Sequence, residues 1–345
     1  MSRDAAAPTR ATIRDVAALA GVGIKTVSRV INDEPNVSAP TRERVERAAL
    51  ALNFQPNQGA GALRRGDHRT RTLGLLLDAV DNPFSASINR AVEVVASARG
   101  TAVFAASFDD DPDRERELVD AFTRRRVDGL ILTTISSDHG YLQVERDQGT
   151  PLVFVDRPPV GLLADAVLTD NRAAATTATE HLLQVGHRRI AHLGDELAIS
   201  TARERRQGFL STMERAAATP VVVDDLRSVE AAEQAVRRLL TLAVPPTALF
   251  TSQNMVTLGA LRALHGLGLQ HTVALVGLDD LQLAELLQPG VTVLAQDPTT
   301  IGTLAAEQLF RRLDGDRGPE RTAIVPTTLL VRGSGEIPPP AAGTG

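Results

Sequence analysis

The spacing of apolar residues changes character once along the chain. From Thr12 to Asn32 (TIRDVAALAGVGIKTVSRVIN) it follows helical periodicity in two short runs, broken at Gly21-Val22-Gly23. Val16, Ala17, Leu19 and Ala20 give the first run an apolar face, and Val27, Val30 and Ile31 face inward from the second. Thr12 stands where a helix cap belongs, and Asp15 follows three residues on, where a carboxylate suits a helix start. Ser38, with Pro40 close behind, opens a third helix to about Leu52. Its Val45, Ala48, Ala49 and Leu52, with Phe54, close a small three-helix core. Ala17 supplies a small residue where two helices touch, Gly21 a turn with positive φ, and Val27 an aliphatic plug. That pattern predicts a helix-turn-helix. The second helix turns Lys25, Thr26, Ser28 and Arg29 outward, donors of the kind that reach phosphates and base edges.

From Thr72 onward short aliphatic runs alternate with helical segments. Strands are predicted at Leu73–Leu77, Thr101–Ala105, Leu130–Leu132, Leu152–Val155, Val167–Leu168, Ile190–Leu193, Ala248–Phe250 and Val273–Val276. Between them fall helices at Ser85–Ala98, Arg114–Arg125, Arg172–Val185, Glu204–Ala217, Val229–Leu240, Met255–Leu267 and Thr300–Leu313. Alternation of this kind means α/β architecture, with parallel sheets covered on both faces. The number of units suits one barrel or two open sheets. Asp or Asn recurs where strands give way to helices, at the edge where open α/β sheets bind ligands. Residues 1–10 and 336–345 are too small, polar or Pro/Gly-rich to order, and 57–71 reads as a weak helix and a polar linker. Gly59 and Gly61 each cost that helix about 1 kcal/mol, so it folds only against a partner.

Charge sharpens the division. Residues 1–71 hold 12 Arg or Lys against 7 Asp or Glu, whereas the remainder holds 25 against 35. A basic head on an acidic body points to a polyanion met by the head alone. With no cysteine, disulfides, thiolate metal sites and cysteine nucleophiles are excluded. No apolar leader and no membrane-length apolar run is present, so a cytoplasmic location is expected. An enzyme is disfavoured. Asp279 and Asp280 are adjacent and point apart, and Asp109-Asp110-Asp111 reads as a helix-leading turn. The seven His lack metal spacing, with His187 expected at the surface and His192 in a core. Neither a metal nor a cofactor is called for.

The segments ATIRDVAALAGVGIKTVSRVIN, VSAPTRERVERAALALNFQPN and NQGAGALRR resemble the DNA-binding head of the LacI/GalR family of bacterial transcription regulators. GHRRIAHLG, VGLDD and AQDPTTIG extend the resemblance, which runs from about Ala11 to Ser334. It implies a DNA-binding domain over 11–56, a hinge helix and linker over 57–71, and a two-lobed core over 72–335 like that of periplasmic sugar-binding proteins. Lobe 1 would span about 72–168 and 298–325, and lobe 2 about 169–297 and 326–335. It also implies a homodimer on a palindromic operator, most often a repressor, whose affinity a small molecule between the lobes controls. A sugar or sugar derivative is the implied effector. The alternatives are a nucleoside- or purine-responsive regulator, or a sugar-binding protein or enzyme without a DNA function. No heptad helix follows Arg332, so a dimer is expected rather than a tetramer.

The resemblance also assigns residues. Ile24, Lys25 and Arg29 match base-contacting positions, and Thr12, Thr26, Ser28 and Asn32 phosphate-contacting ones. Asn57, Ala60 and Leu63 match hinge positions, Leu63 being the minor-groove wedge. Asn82, Phe84, Ser85, Asp109, Thr133, Asp156, Arg205, Gln253, Asp279 and Gln296 match the effector site. Carboxylates, an Arg and amides together suit vicinal hydroxyls. The chain departs from the family pattern at Gly23, where a Ser cap is usual, and at Gln253-Asn254, where Asn-Asp is usual.

Overall fold

The computed structural model describes residues 11–54 and 69–341, in two compact units that divide between Thr70 and Arg71. The smaller contains α1 (Ile13–Ala20), α2 (Ile24–Ile31) and α3 (Ala39–Ala51). Val16, Ala17, Ala20, Val27, Val30, Val45 and Ala48 form its buried centre, with Leu52 and Phe54 packed against it. Gly21 ends α1 at φ 64°, a left-handed conformation that lets Val22 N–H bond back to the Ala17 carbonyl. Leu19 departs from expectation, being 57% exposed. It lies about 100° around the helix from Ala20, and a helix of two turns buries only one stripe.

The larger unit contains two six-stranded open sheets, which decides between the two architectures that alternation allowed. Sheet 1 joins β1 (Thr72–Leu77), β2 (Ala102–Ser107), β3 (Gly129–Leu132), β4 (Leu152–Val155), β5 (Asp165–Thr169) and β11 (Thr322–Val325), in the order β11-β5-β4-β3-β1-β2. Sheet 2 joins β6 (Arg189–Leu193), β7 (Thr219–Val223), β8 (Ala248–Thr251), β9 (Ala274–Leu278), β10 (Thr292–Ala295) and β12 (Thr328–Leu330), in the order β12-β10-β9-β8-β6-β7. The two orders are the same winding repeated. All pairings are parallel except β10 with β12. Strands β7, β10, β11 and β12 are additional to those expected from the sequence; β7, β11 and β12 lie at sheet edges, where few residues need burying.

Helices cover both faces of each sheet, so β1, β3, β4, β8 and β9 are buried throughout. They are α4 (Pro83–Ala98), α5 (Pro112–Arg124), the short α6 (Gln143–Asp147), α7 (Asn171–Val185), α8 (Ser200–Arg215), α9 (Val229–Leu240), α10 (Asn254–Leu267) and α11 (Pro298–Leu313). Helix α11 packs beside α4 on sheet 1 although it follows β10 of sheet 2. The chain therefore crosses between lobes three times, after β5, after β10 and after β11. Those crossings leave the carboxyl ends of the central strands of both sheets facing a shared cleft.

The expected disordered tail from residue 336 is not what the structure shows over its described part. Glu336 accepts from Thr292 Oγ1 (2.8 Å) and Gly333 N (2.7 Å), and meets His181 Nε2 at 2.5 Å. The Ile337 carbonyl accepts from His187 Nε2 at 2.9 Å. His187 is fully buried by this contact, not at the surface as expected. A Pro-rich composition hid a segment that closes the core of lobe 2. No helix among the described residues is long and apolar enough to cross a membrane.

Candidate ligand cleft and nucleic-acid face

In the smaller unit α2 buries Val27 and Val30 and turns Ile24, Lys25 and Arg29 outward. Gly23 occupies its N-cap, so the helix starts without a side-chain cap and nothing but backbone stands between the turn and an approaching phosphate. Arg29 meets Glu34 at 3.7 Å with both side chains about half exposed, an ion pair weak enough to exchange for a stronger acceptor. The expected phosphate ligands are less free. Thr12 donates through both N and Oγ1 to Asp15 Oδ2 at 2.7 Å, and Asn32 Nδ2 donates to the Ser28 carbonyl at 2.8 Å. Asn57, Ala60 and Leu63 lie outside the described residues.

In the larger unit Arg205 organises lobe 2. Its Nε donates to Asn171 Oδ1 (2.7 Å) and its Nη1 to the Ser252 carbonyl (2.9 Å), and it is 7% exposed. The closeness of α8 to α7 permits this. A Cβ on Gly208 would stand 2.5 Å from the Arg172 carbonyl, so only glycine lets the two helices approach this far. Asp279 follows β9 at φ 68° and accepts from Gln296 Nε2 at 2.7 Å. Burial raises its pKa, and Arg205 and the Gln296 bond restrain the rise. Asp280, beside it, turns the other way and takes a two-pronged bond from Arg332 at 2.5 and 2.8 Å.

Lobe 1 answers with a matching group. Asp156 follows β4 at φ 65°, as Asp279 follows β9, and lies close enough to oppose ionisation of Asp279. Left-handed backbone at a non-glycine residue is costly, and its repetition at equivalent strand ends marks a functional edge. Arg157, next in sequence, is 9% exposed; its Nη1 donates to the Thr134 carbonyl at 3.0 Å, and Asp78 and Asp156 stand 3.8 Å away. Asp78 is pushed up to about 6 by burial, against the pull of Arg157 and with the help of Asp110. From lobe 2, Asp195 is raised by burial and also feels Asp110 and Arg157.

The sequence-derived set is only partly gathered here. Asp156, Arg205, Asp279 and Gln296 converge. Thr133 is buried just past β3, Ser85 is buried in the first turn of α4, and Phe84 packs against the core of lobe 1. Asn82 is half-buried and bonds across the cleft: Asn254 Nδ2 donates to its Oδ1 at 2.8 Å, and its own Nδ2 donates back at 3.4 Å. Gln253 caps α10 and donates to Asp195 Oδ2 at 3.2 Å. Asp109 is not brought in. Its carboxylate pairs with Arg114 at 2.5 Å on an exposed surface, and its neighbour Asp110 faces Asp78 and Asp195 instead. Sequence reasoning missed Asp78, Asp110, Thr134, Arg157, Asn171, Asp195, Ser252 and Asn254. The available signal for Arg157 was a cation immediately after a fully apolar strand.

Several buried polar atoms in this region lack a hydrogen-bond partner, among them Thr134 Oγ1, Ser252 Oγ, Gln296 Oε1 and Arg157 Nε, the last only in looser ion contact with Asp156. Buried polar groups are normally satisfied, so a cluster of open ones at the carboxyl ends of two sheets describes a site for a polar ligand.

Comparison with known proteins agrees with this geometry. Residues 12–57 match the family model for bacterial regulatory proteins of the lacI family, and residues 179–335 match a periplasmic binding protein-like domain. The HTH-type transcriptional regulator PtxS of Pseudomonas aeruginosa is 37% identical over 330 residues, spanning 94% of this chain and 96% of that protein. The ribose operon repressor of Halalkalibacterium halodurans is 34% identical over 324 residues, spanning 93% and 96%. Among solved structures, the lac repressor dimer bound to operator and the anti-inducer ONPF superimposes with a TM-score of 0.82 at 27% identity, covering 95% of this chain and 99% of that one.

Proposed function

The chain belongs to the lacI family of bacterial regulatory proteins, and from that premise we propose that it represses sugar-related genes in the cytoplasm under control of a polyhydroxylated effector. It is a DNA-binding transcription regulator and not an enzyme. The observation that carries the effector reading is the cluster of open, buried polar atoms between Arg157 in lobe 1 and Arg205 and Gln296 in lobe 2. Vicinal hydroxyls supply both the donors that Gln296 Oε1 and the Asp156 and Asp279 carboxylates accept and the acceptors that the guanidinium groups need.

On the head, Arg29 forks onto a guanine, Lys25 donates to guanine acceptors, and Ile24 makes apolar contact with a thymine methyl. Thr26, Ser28, Thr12 and Asn32 set register on phosphates, with Thr12 and Asn32 exchanging their internal bonds to do so. Leu63 of each copy wedges the operator centre, so Leu63→Ala reduces the operator bend while ligand binding to the core persists; an unchanged bend angle refutes the wedge role.

Self-association uses a face shared by both lobes. Val80, Val94 and Phe104 are exposed on lobe 1, and Leu283 and Leu286 on lobe 2. A groove of about 590 Å³ lined by Pro83, Arg90, Val94, Gln282 and Thr303 lies between the lobes, with Val94 in its wall. Because that face spans both lobes, closing the cleft changes the pairing of two copies and hence the spacing of their heads. The effector then alters operator affinity by its differential affinity for the two states. The test is a mobility shift on palindromic operators upstream of neighbouring genes, with and without sugars, sugar acids and nucleosides. Binding to no palindrome under any condition refutes the reading.

A further inference from the structure

We propose that the cleft selects neutral polyhydroxylated effectors and discriminates against the carboxylate forms of the same carbon skeletons, an inference that rests on the cleft being the effector site. The charge lining the cleft supports it first. Asp78, Asp110, Asp156, Asp195 and Asp279 interact with one another or with Arg157 and Arg205 across the two lobes. Five carboxylates thus face two guanidinium groups. Neighbouring arginines do not add to the positive side, because Arg206 is held by Asp224, Arg114 by Asp109 and Arg332 by Asp280. An anionic ligand would join an excess of carboxylates in a poorly solvated space, where repulsion is strongest.

The helix starts give the second argument. A helix N-terminus aimed at a cleft is the common means of holding an anion without a cation. Here those positions already carry side-chain acceptors. Asn82 Oδ1 takes Phe84 N on α4, Asp170 Oδ1 takes Ala173 N on α7, Gln253 Oε1 takes Met255 N on α10, and Asp297 Oδ1 takes Thr300 N on α11. Helix α8 starts without a side-chain cap, but Asp195 and Glu196 precede it.

The open atoms give the third. Gln296 Oε1 can only accept, the Thr134 and Ser252 hydroxyls can do either, and Arg157 Nε can only donate. The Asp156 and Asp279 carboxylates add acceptors. A ligand that fits must therefore bring several hydroxyl donors, and the carboxylate of an acid adds only further acceptors to a site already rich in them. The guanidinium groups find their acceptors in the same hydroxyl oxygens.

The test is calorimetric titration of the full chain, near neutral pH, with matched pairs: D-ribose against D-ribonate, and D-glucose against D-gluconate, with ribitol as a neutral open chain. The neutral-to-acid comparison is made on the unmodified protein, and the variants serve to place the binding and its charge dependence in the cleft. The expected result is that a neutral member binds and its acid binds about tenfold or more weakly. Raising salt leaves the neutral affinity unchanged and narrows the gap. Asp195→Asn narrows it further. An acid that binds as tightly as its neutral partner, with binding lost in Arg205→Met, overturns the charge preference and leaves the effector site in place. A neutral ligand whose binding survives Arg205→Met unchanged overturns the cleft reading itself.

Discussion

Arg205→Met tests whether one guanidinium holds the cleft of lobe 2 together. The substitution keeps much of the side-chain length but removes a buried cation that donates to Asn171 Oδ1 and the Ser252 carbonyl. Each such charge-assisted bond is worth about 1.5–3 kcal/mol, and the two are not additive because one group serves both. Asp279 loses its main compensating charge as well. The two bonds together set an expected loss of about 3 kcal/mol. For a unit of this size about 2–4 °C accompanies each kcal/mol, so the unfolding midpoint falls by about 10 °C.

The pH dependence makes the test specific. Burial already holds the Asp279 carboxyl above its usual range, so the folded state binds this proton more readily than the unfolded chain. Stability from this group is therefore lost as pH rises through the folded value. Without Arg205 the folded value climbs further, and the variant's deficit is larger at a pH above its own folded value than at one below the parent's. Arg205→Met combined with Asp279→Asn relieves part of it. Thermal unfolding followed by circular dichroism at both pH values is the assay. A midpoint within about 2 °C of the parent at both, or a deficit that neither depends on pH nor responds to the second substitution, refutes the reasoning.

Three further outcomes are expected. His192 lies fully buried between Phe209 and Phe250 with both ring nitrogens unpartnered, and burial together with Arg205 and Arg206 pushes it down to about 3. Its contribution is complete above the free value of 6.5 and is lost as pH falls, at up to about 1.4 kcal/mol per pH unit, so His192→Phe flattens the acid limb of the stability profile in urea titrations; superimposable profiles refute this. Arg29→Ala costs about 1–3 kcal/mol of operator affinity and relaxes one base of each half-site in a binding-site selection, whereas a uniform loss over all sequences makes it a phosphate contact. Phe104→Glu, on the exposed face of edge strand β2, shifts sedimentation toward the monomer and weakens operator binding; an unaltered dimer removes β2 from the interface.

The head was legible almost position by position, because a three-helix core this small has one apolar stripe per helix and one turn that needs a glycine. Leu19 shows the margin, since periodicity alone did not say which residue of a two-turn helix faces solvent. The strands with continuous apolar runs were legible too, and the edge strands β7, β11 and β12 were not. The cleft was half legible. The family resemblance named Asp156, Arg205, Asp279 and Gln296, but Asp109 and Asp110 are indistinguishable as a sequence. Only the backbone decides between them, turning one to Arg114 and the other to Asp78.

The sequence by itself determined the local choices: where helices start, which strands are buried on both faces, which end of the chain is basic, and which residue types can chelate a hydroxyl. Those depend on neighbours a few residues apart. Which of the donors remain open depended on residues as distant as Asn82 and Asn254, or Arg205 and Ser252. That was settled only when the three crossings set one sheet against the other, because a polar group's partner is fixed by packing and not by its place in the chain.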